Sequence, residues 1–498
     1  MCRRICFLII LLLLNIVAYG QNSYYYSKHI SLPPQNITEK TVNLQYPIKM
    51  ENVKAIGMGN TQVAIGKNFN AMMYNPALLG KARNRLELFG IRASLPPDTY
   101  DAAFFLRDNK DEFLEAISLS QIWDGVNTFF EPVATAEQKL EALKQIQEGM
   151  QFTIDLMSKV VGDSKNPKQH GLSVLPTFGL QVGNFGFSLY GFGHSGFVVQ
   201  QSPTLEALLG IDVPDNFNDL VQVEKAVAQM MGTLSTVLTD DESFNEDVYP
   251  IAFYISYVDI VGALGYGFNI DNNLMIGANL KVVNRRFSTD RIPVIDYNKI
   301  LSDAWDRLQS NVTGVTFDIG AFYQTQYGTS FGLALQNIVP MQTIKKSINT
   351  EFRYPDIYYD RDENDKIITN SLGDTALISS YRQVNITRPY NLKVPFLASI
   401  GMCQPITKNW DLALEWYDII EQDSRYSKTT QRIRFGTEYR LKFLNDYFMA
   451  SFRSGFADEK FCFGLGLCIT RFVQIDGAYA YDRFVKSYSY FTQLRIGW

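Results

Sequence analysis

The stretch "RIRFGTEYRL" (432–441) alternates without a break. Ile433, Phe435, Thr437, Tyr439 and Leu441 fall on one side, and Arg432, Arg434, Gly436, Glu438 and Arg440 on the other. A period of two is the mark of a β-strand, whose successive side chains point to opposite faces. "EKFCFGLGLCI" (459–469) and the final "YSYFTQLRIGW" (488–498) repeat the pattern, the latter with Tyr488, Tyr490, Thr492, Leu494, Ile496 and Trp498 on one face. In a soluble sandwich the apolar face would meet a second sheet. In a membrane barrel it meets lipid, and the polar face lines the lumen.

Working outward from these segments, fourteen strands are expected near 85–94, 171–181, 185–200, 250–268, 274–288, 313–326, 330–338, 393–404, 409–420, 430–442, 446–456, 459–471, 472–483 and 488–498. The links between them sort by parity. "VGN" (182–184), "NIDNN" (269–273), "YGT" (327–329) and "QPITKN" (404–409) are tight, and the longest inserts fall only at odd-numbered connections. Short periplasmic turns and longer outer loops produce that alternation, and a soluble sandwich has no reason to. The expected fold is an all-β membrane protein, a 14-stranded antiparallel outer-membrane β-barrel spanning 85–498. Helical outer inserts are expected near 108–170, 201–249 and 290–312. "TAEQKLEALKQIQEGMQFTIDLMSKVV" (135–161) opens with a Thr…Gln capping pattern and carries apolar residues at helical spacing. "TLEALLGI" (204–211), "DLVQVEKAVAQMMGTLSTVL" (219–238) and "DYNKILSDAWDRLQSNV" (296–312) also read as helices.

Composition agrees. The 498 residues include 28 Tyr, 34 Phe and 34 Gly, yet the mean hydropathy is slightly negative. Many aromatics without apolar runs is what alternating lipid-facing strands give. The chain opens with "MCRRICFLIILLLLNIVAYGQ": two arginines, an apolar core from Phe7 to Val17 and small residues at Ala18 and Gly20. Residues 1–20 are therefore expected to be a signal peptide, with the mature chain starting at Gln21. The apolar core is too short for a membrane anchor. Without Arg3 and Arg4 the chain has 44 basic against 51 acidic residues, which argues against nucleic acid as a partner. Cys403, Cys462 and Cys468 make neither an even disulfide framework nor a zinc pattern.

One segment is neither strand nor ordinary loop. In "AMMYNPALLGK" (71–81), Asn75 can cap a helical turn through its side-chain oxygen, Pro76 suits the first helical position, and Gly80 can close the turn with positive φ. The apolar face of that turn, Met73, Leu78 and Leu79, must press against something. "KAIGMGNTQVAIGKNFNAMMYNPALLG" (54–80) resembles the amino-terminal signature of the FadL-type outer-membrane transport superfamily. Gly57 and Gly59 match its glycine entry, and Asn75, Pro76 and Ala77 match its Asn-Pro-Ala motif. "FGTEYRL", "FRSGF" and "FGLGLCI" resemble its carboxy-terminal strands. The superfamily includes long-chain fatty-acid and aromatic-hydrocarbon transporters, PorV-like secretion components and TraF-like proteins of conjugation operons. The inserts at 108–170 and 201–249 look closer to the TraF-like branch. The resemblance implies that residues 21–84 form a hatch folded inside the barrel. It also implies passive uptake of a hydrophobic or amphipathic small molecule such as a fatty acid through the barrel wall. The alternative it carries is a non-transporting barrel whose helical loops dock a protein partner.

Other signals are weaker. "GFGHSG" (191–196) has dinucleotide-loop spacing but lies within a strand and opens no helix. His194 and Ser195 are adjacent on a strand and so face opposite ways, which argues against an enzyme. Asp360, Asp362 and Asn364 occupy the first ligand positions of a calcium loop, but Asp365 stands where glycine is needed and Ser371 where glutamate is. No cofactor is expected. Arg432, Arg434, Glu438, Arg440, Arg453 and Glu415 fall on lumen phases of neighbouring strands. Two roles are open to them: a salt-bridge network tying wall to hatch, or a site for an anionic head group, which suits arginine forks.

Overall fold

The protein is described by a computed structural model covering residues 30–31, 35–48, 51–65, 72–81, 84–112, 135–163, 166–200, 251–293, 311–339, 344–359, 377–443, 447–470, 472–483 and 485–497, with residues 125, 128 and 308 between. The expected signal peptide, the helices at 204–211 and 219–238, nearly all of 296–310, the calcium candidate at 360–364 and Trp498 lie outside the described residues.

In chain order, three short strands come first: β1 (Ile30–Ser31), β2 (Gln35–Thr38) and β3 (Val42–Gln45). A one-turn helix, α1 (Val53–Gly57), and a tight 3-10 turn (Pro76–Lys81) follow. Then come β4 (Arg85–Leu95), helices α2 (Pro97–Asp108) and α3 (Ala136–Val161), β5 (Gln169–Val182), β6 (Phe185–Gln200), β7 (Ile251–Asn269), β8 (Leu274–Pro293), β9 (Asn311–Gln324) and β10 (Ser330–Gln336). β11 (Ile344–Tyr359) and β12 (Leu377–Lys393) form a hairpin. The series ends with β13 (Leu397–Thr407), β14 (Trp410–Trp416), β15 (Ile433–Phe443), β16 (Phe448–Ala457), β17 (Lys460–Ile469), β18 (Val473–Asp482) and β19 (Ser487–Gly497).

Fourteen of these strands, β4 to β10 and β13 to β19, close into one barrel. Every neighbouring pair is antiparallel, and β19 returns to pair with β4. They coincide with the fourteen expected strands, with ends displaced by a few residues. The displacement is greatest where β8 runs on to Pro293 and β14 stops at Trp416. The exterior is apolar: Phe185, Leu264, Leu280, Phe435 and Leu465 all stand exposed. An aromatic girdle marks each end. Tyr266, Phe268, Tyr447 and Phe472 sit at the short-turn end, and Trp416, Phe461 and Tyr490 at the insert end. Such a surface is stable only against lipid, and closure leaves the barrel no unpaired edge. Among the described residues no helix is long and apolar enough to cross a membrane.

At the insert end, α2 and α3 pack together over the tops of β6 and β7 through Leu106, Leu156, Val160 and Val199. α3 begins with a reciprocal cap, Gln138 N–H donating to Thr135 Oγ1 (3.2 Å) and Thr135 N–H to Gln138 Oε1 (2.7 Å).

Two features differ from the sequence expectation. First, β11 and β12 stand off the barrel as a separate sheet with β1, β2 and β3. "IKKSINTEFRYPDIYY" (344–359) mixes charges onto both phases and holds Pro355, so period two does not show in it. Second, the segment 30–45 is not hatch. β1 to β3 run parallel to β12, with Ile30 opposite Ser380 and Gln45 opposite Lys393. β12 descends towards the rim, where β13 begins. The amino-terminal chain therefore comes down beside β12 from the insert end, enters the lumen after Gln45, and reaches the short-turn end before β4 starts.

Candidate functional site

Inside the lumen, residues 51–65 and 72–81 are seated on the wall from β19 round to β6. α1 is capped by Asn52, whose Oδ1 accepts from Ala55 N–H at 2.7 Å. Its first amide, on Val53, donates to Gln493 Oε1 of β19 at 2.9 Å. Val53 and Ile56 pack on Cys462, Ala478 and Phe491. Gly57 then lies on Gly464 of β17, so close that a β-carbon on Gly57 would stand 2.9 Å from the facing Cα. Gly59 has φ 62°, and a β-carbon there would meet the carbonyl oxygens of Phe435 (2.6 Å) and Phe456 (2.9 Å). Both glycines are dictated by the approach of two backbones, Gly59 by its dihedral as well.

Farther round, Glu415 of β14 accepts from the amides of Gln62 (2.8 Å) and Val63 (3.0 Å). Ser330 of β10 donates to Ala64 O at 3.0 Å. Asn75 closes the circuit. Its Nδ2 donates to Val63 O and to Ala321 O of β9, both at 2.9 Å, and its Oδ1 accepts from Ala77 N–H at 3.1 Å. The Asn-Pro-Ala turn thus joins both parts of this lumen segment, 51–65 and 72–81, to one wall strand. Opposite it the wall has no side chains: Gly320 faces Asn75, Gly277 faces Pro76, and Gly267 faces Leu79 and Gly80. Leu78 and Leu79 are buried, with Met275 and Phe322 around Leu78 and Ala263 beside Leu79; Met73 is half-buried beside them. Gly80 does not have positive φ, contrary to the sequence expectation. The 3-10 turn runs on through Lys81, and a β-carbon on Gly80 would run into Asn269 Oδ1 and stand 3.2 Å from Met275 Cγ.

The six charged residues singled out from the sequence do not form one cluster. Glu438 sits among Lys54 of α1 (2.7 Å), Arg453 (2.9 Å) and Arg440 (2.9 Å). Arg453 continues to Asp476 (2.7 Å) and Arg440 to Asp411 (2.6 Å). Glu415 pairs with Arg434 at 3.5 Å, and the Arg434 guanidinium lies on the Tyr417 ring, 3.8 Å from its centre. Arg432 is apart, in the loop between β14 and β15, where it meets Asp418 (3.5 Å) and donates to Tyr426 O (3.1 Å). Two of the three groups touch the lumen segment directly, through Lys54 and through the amides of Gln62 and Val63.

Other lumen residues belong to the site and were not singled out. Arg285, paired with Asp259 (2.6 Å), donates to the carbonyls of Tyr46 (2.8 Å) and Pro47 (3.2 Å), holding the descending chain. Arg92 donates to Glu51 O at 2.7 Å, and its Nε and Nη2 have no hydrogen-bond partner among the described residues. Beside them the inward-facing Leu175, Phe192, Tyr257 and Phe287 of the wall form an apolar cluster with Tyr390 and Leu392 at the end of β12. Each of these charges sits on the inward phase of its strand, a signal the alternation does contain.

Next to that cluster the β5–β6 ladder lacks two pairs, although its register is unchanged and both strands stay paired to their other neighbours. The β5–β6 ladder runs to Val174 opposite Gly193 and resumes at Thr177 opposite Tyr190. Pro176, which has no N–H to give, stands between them. β4 bulges at the same level, with a register shift between Glu87 and Gly90 that turns Leu88 and Phe89 both outward. "GFGHSG" lies within β6, as expected, with His194 buried and Ser195 exposed on the other face.

Comparison with solved structures returns barrels of low identity. The Pseudomonas putida toluene transporter TodX is 10% identical, covers 91% of this chain and 98% of its own, and superposes with a TM-score of 0.41. The Ralstonia pickettii toluene transporter TbuX is 11% identical over 89% and 96% of the two chains, TM-score 0.39. A Pseudomonas aeruginosa FadL homologue is 9% identical over 91% and 98%, TM-score 0.41. No curated protein matches. Residues 72–396, from the hatch motif to the end of β12, match the family described as "F plasmid transfer operon, TraF, protein". The chain belongs to that family.

Proposed function

We propose that this barrel resides in the outer membrane, after loss of its leader, and admits a hydrophobic or amphipathic small molecule past a hatch without an energy source. The observation that carries the reading is the apolar cluster around Phe192, Tyr257 and Phe287, set behind Leu175 and Pro176, where the β5–β6 ladder lacks two pairs. An apolar ligand gathered there leaves water without crossing the whole lumen, and a local parting of the wall at the missing pairs would give it a lateral way into lipid. Arg92 offers two N–H groups to the head group of an amphipathic ligand, a fatty acid among them. The hatch closes the route below, and its release would require breaking the Glu415 and Glu438 contacts.

The test is uptake of a labelled long-chain fatty acid and a labelled aromatic hydrocarbon by cells that make the protein, against cells that do not. A Pro176→Val variant, which can restore the ladder, is expected to slow uptake while the barrel folds normally. Accumulation of neither compound above the control would sink the reading. A second reading, docking of a protein partner, is favoured by α2, where Tyr100 and Phe104 stand exposed as a packed pair with centroids 4.5 Å apart. The transfer-operon name of the matched family suits it. It predicts that Tyr100→Ser with Phe104→Ser abolishes capture of that partner and leaves uptake unchanged.

A further inference from the structure

We propose that the roof of the apolar cluster is an outer lid, held shut at the insert end by a latch on Ser424, and that releasing the latch opens the cluster from above. The proposal rests on the uptake reading for what passes, and it adds a second gate at the opposite end of the lumen from residues 72–81. Two segments outside the wall make the roof. Leu44 and Tyr46 come from the descending chain, and Tyr390 and Leu392 from β12. The Tyr46 ring lies stacked on Tyr257, with 6.4 Å between centres and 18° between planes, and Tyr390 meets Phe287 edge-on at 6.1 Å. Tyr46 N–H donates to Lys393 O at 3.1 Å, so both segments belong to one piece, the end of the sheet formed by β3 and β12. That sheet shares no ladder with the barrel.

The latch is a single hydroxyl. Ser424 Oγ accepts from Gln45 N–H (3.2 Å) and donates to Gln45 O (3.1 Å), so it grips both backbone groups of one residue. The loop that carries it is built to hold it still. Asp423, on one side, is 0% exposed, accepts from Tyr417 Oη at 3.0 Å and takes the Arg425 guanidinium at 2.6 Å. Its N–H donates to Asp418 Oδ2 at 2.8 Å, and Arg425 O accepts from Arg483 Nη1 at 2.6 Å. Ser424 itself is exposed. Its two bonds can be exchanged for water at small net cost, unlike the buried bonds of Glu415 and Asn75 to the lumen segment. The second hold on the roof is Arg285, through the carbonyls of Tyr46 and Pro47. It too can let go, because Arg285 keeps both bonds to Asp259 and no unpaired charge is stranded in the wall. Exposed bonds over half-buried apolar contacts are what opens locally before a fold opens as a whole.

The full-length barrel in detergent would carry one of two reporters: Leu392→Cys on the roof, where the native residue is 2% exposed, or Leu79→Cys on the lumen segment, where it is 0% exposed. Each would be reacted with a water-soluble maleimide, and peptide-resolved mass spectrometry would separate the reporter from the native Cys403, Cys462 and Cys468. Each rate would be measured with Ser424 intact, with Ser424→Ala, and with Ser424→Thr, which keeps the hydroxyl. Heat-shifted migration checks the fold of every variant. Ser424→Ala is expected to speed labelling at position 392 about tenfold, Ser424→Thr to restore the parent rate, and position 79 to keep one rate in all three. Equal rates at position 392 in all three would mean that packing alone holds the roof, and would overturn the proposal. No labelling at position 392 in any background would overturn it as well. So would equal acceleration at position 79, which would show a general loosening. Failed cellular uptake beside labelling that depends on Ser424 would count against the uptake reading only. Uptake that proceeds while the roof labels alike in all three would count against this lid only.

Discussion

Asn75 divides its side chain among three partners, two carbonyls and one amide, and all three are inside the barrel. Alanine at this position would leave Val63 O and Ala321 O short of a donor and remove the cap of the 3-10 turn. We expect Asn75→Ala to cost about 3 kcal/mol locally, visible as faster amide exchange at Val63–Ile65 and Ala77–Leu79 with the barrel strands unchanged. Gly59 is constrained twice, by φ 62° and by two carbonyl oxygens on neighbouring strands. Gly59→Ala should destabilise the hatch by about 2 kcal/mol. Gly262→Ala, where a β-carbon meets nothing within 4 Å, should stay within about 0.5 kcal/mol. The comparison is read from denaturant midpoints. The Asn-Pro-Ala cap was legible in the sequence because capping is local. The need for Gly59 was legible only as a motif, because the atoms that forbid a side chain belong to Phe435 and Phe456, far along the chain. Gly80 was misread for the same reason: a local rule suggested positive φ, and a distant contact decided its size.

At the scale of elements, the hatch is held by ion pairs that bridge α1 to β15 and β16. Glu438 is shared by Lys54, Arg440 and Arg453, and the two arginines also reach Asp411 and Asp476. Glu438→Gln would leave these cations crowded in a buried site, and we expect a loss of about 3–5 kcal/mol. Lys54→Met removes only the hatch partner and should cost less, while loosening α1. Differential protection of α1 against β15 in amide exchange distinguishes the two. The loop between β14 and β15 adds a pH dependence. Burial by itself would push the Asp423 carboxyl up, but Arg425 at 2.6 Å and the Tyr417 hydroxyl at 3.0 Å hold it below its ordinary value. A depressed carboxylate stabilises above its unfolded pKa of about 4 and loses that contribution as pH falls through the folded value. Asp418, pushed up by burial, has the opposite sign. Protection of residues 417–432 should therefore fall only below about pH 4, and Arg425→Gln should move that fall to higher pH. The charged residues themselves could be found from sequence, since each sits on the polar phase of a strand. Their partners could not, because pairing depends on inter-strand register.

For the whole molecule, the amino-terminal chain links the outer hairpin to the hatch. β3 pairs with β12 through Asn43 opposite Asn391, and their side chains are joined at 2.9 Å. Cysteines at both positions should form a disulfide in the folded barrel, since facing strand residues meet the distance requirement. The cross-link, seen as a gel shift after oxidation, should leave the barrel intact and slow hatch release and any uptake that depends on it. A pair that fails to oxidise in the folded protein would contradict the threading of residues 30–45 beside β12. By itself the sequence determined the barrel, its strand count and the side on which the long inserts lie, because period two and loop length are properties of neighbouring residues. It also carried the Asn75 cap of the 3-10 turn. The tertiary structure alone decided that β1, β2 and β3 pair with an outer hairpin, that the six charges split into three groups, and that the β5–β6 ladder loses two pairs at Pro176. Each of these depends on which distant strands lie side by side, and that register is settled only when the barrel closes on itself.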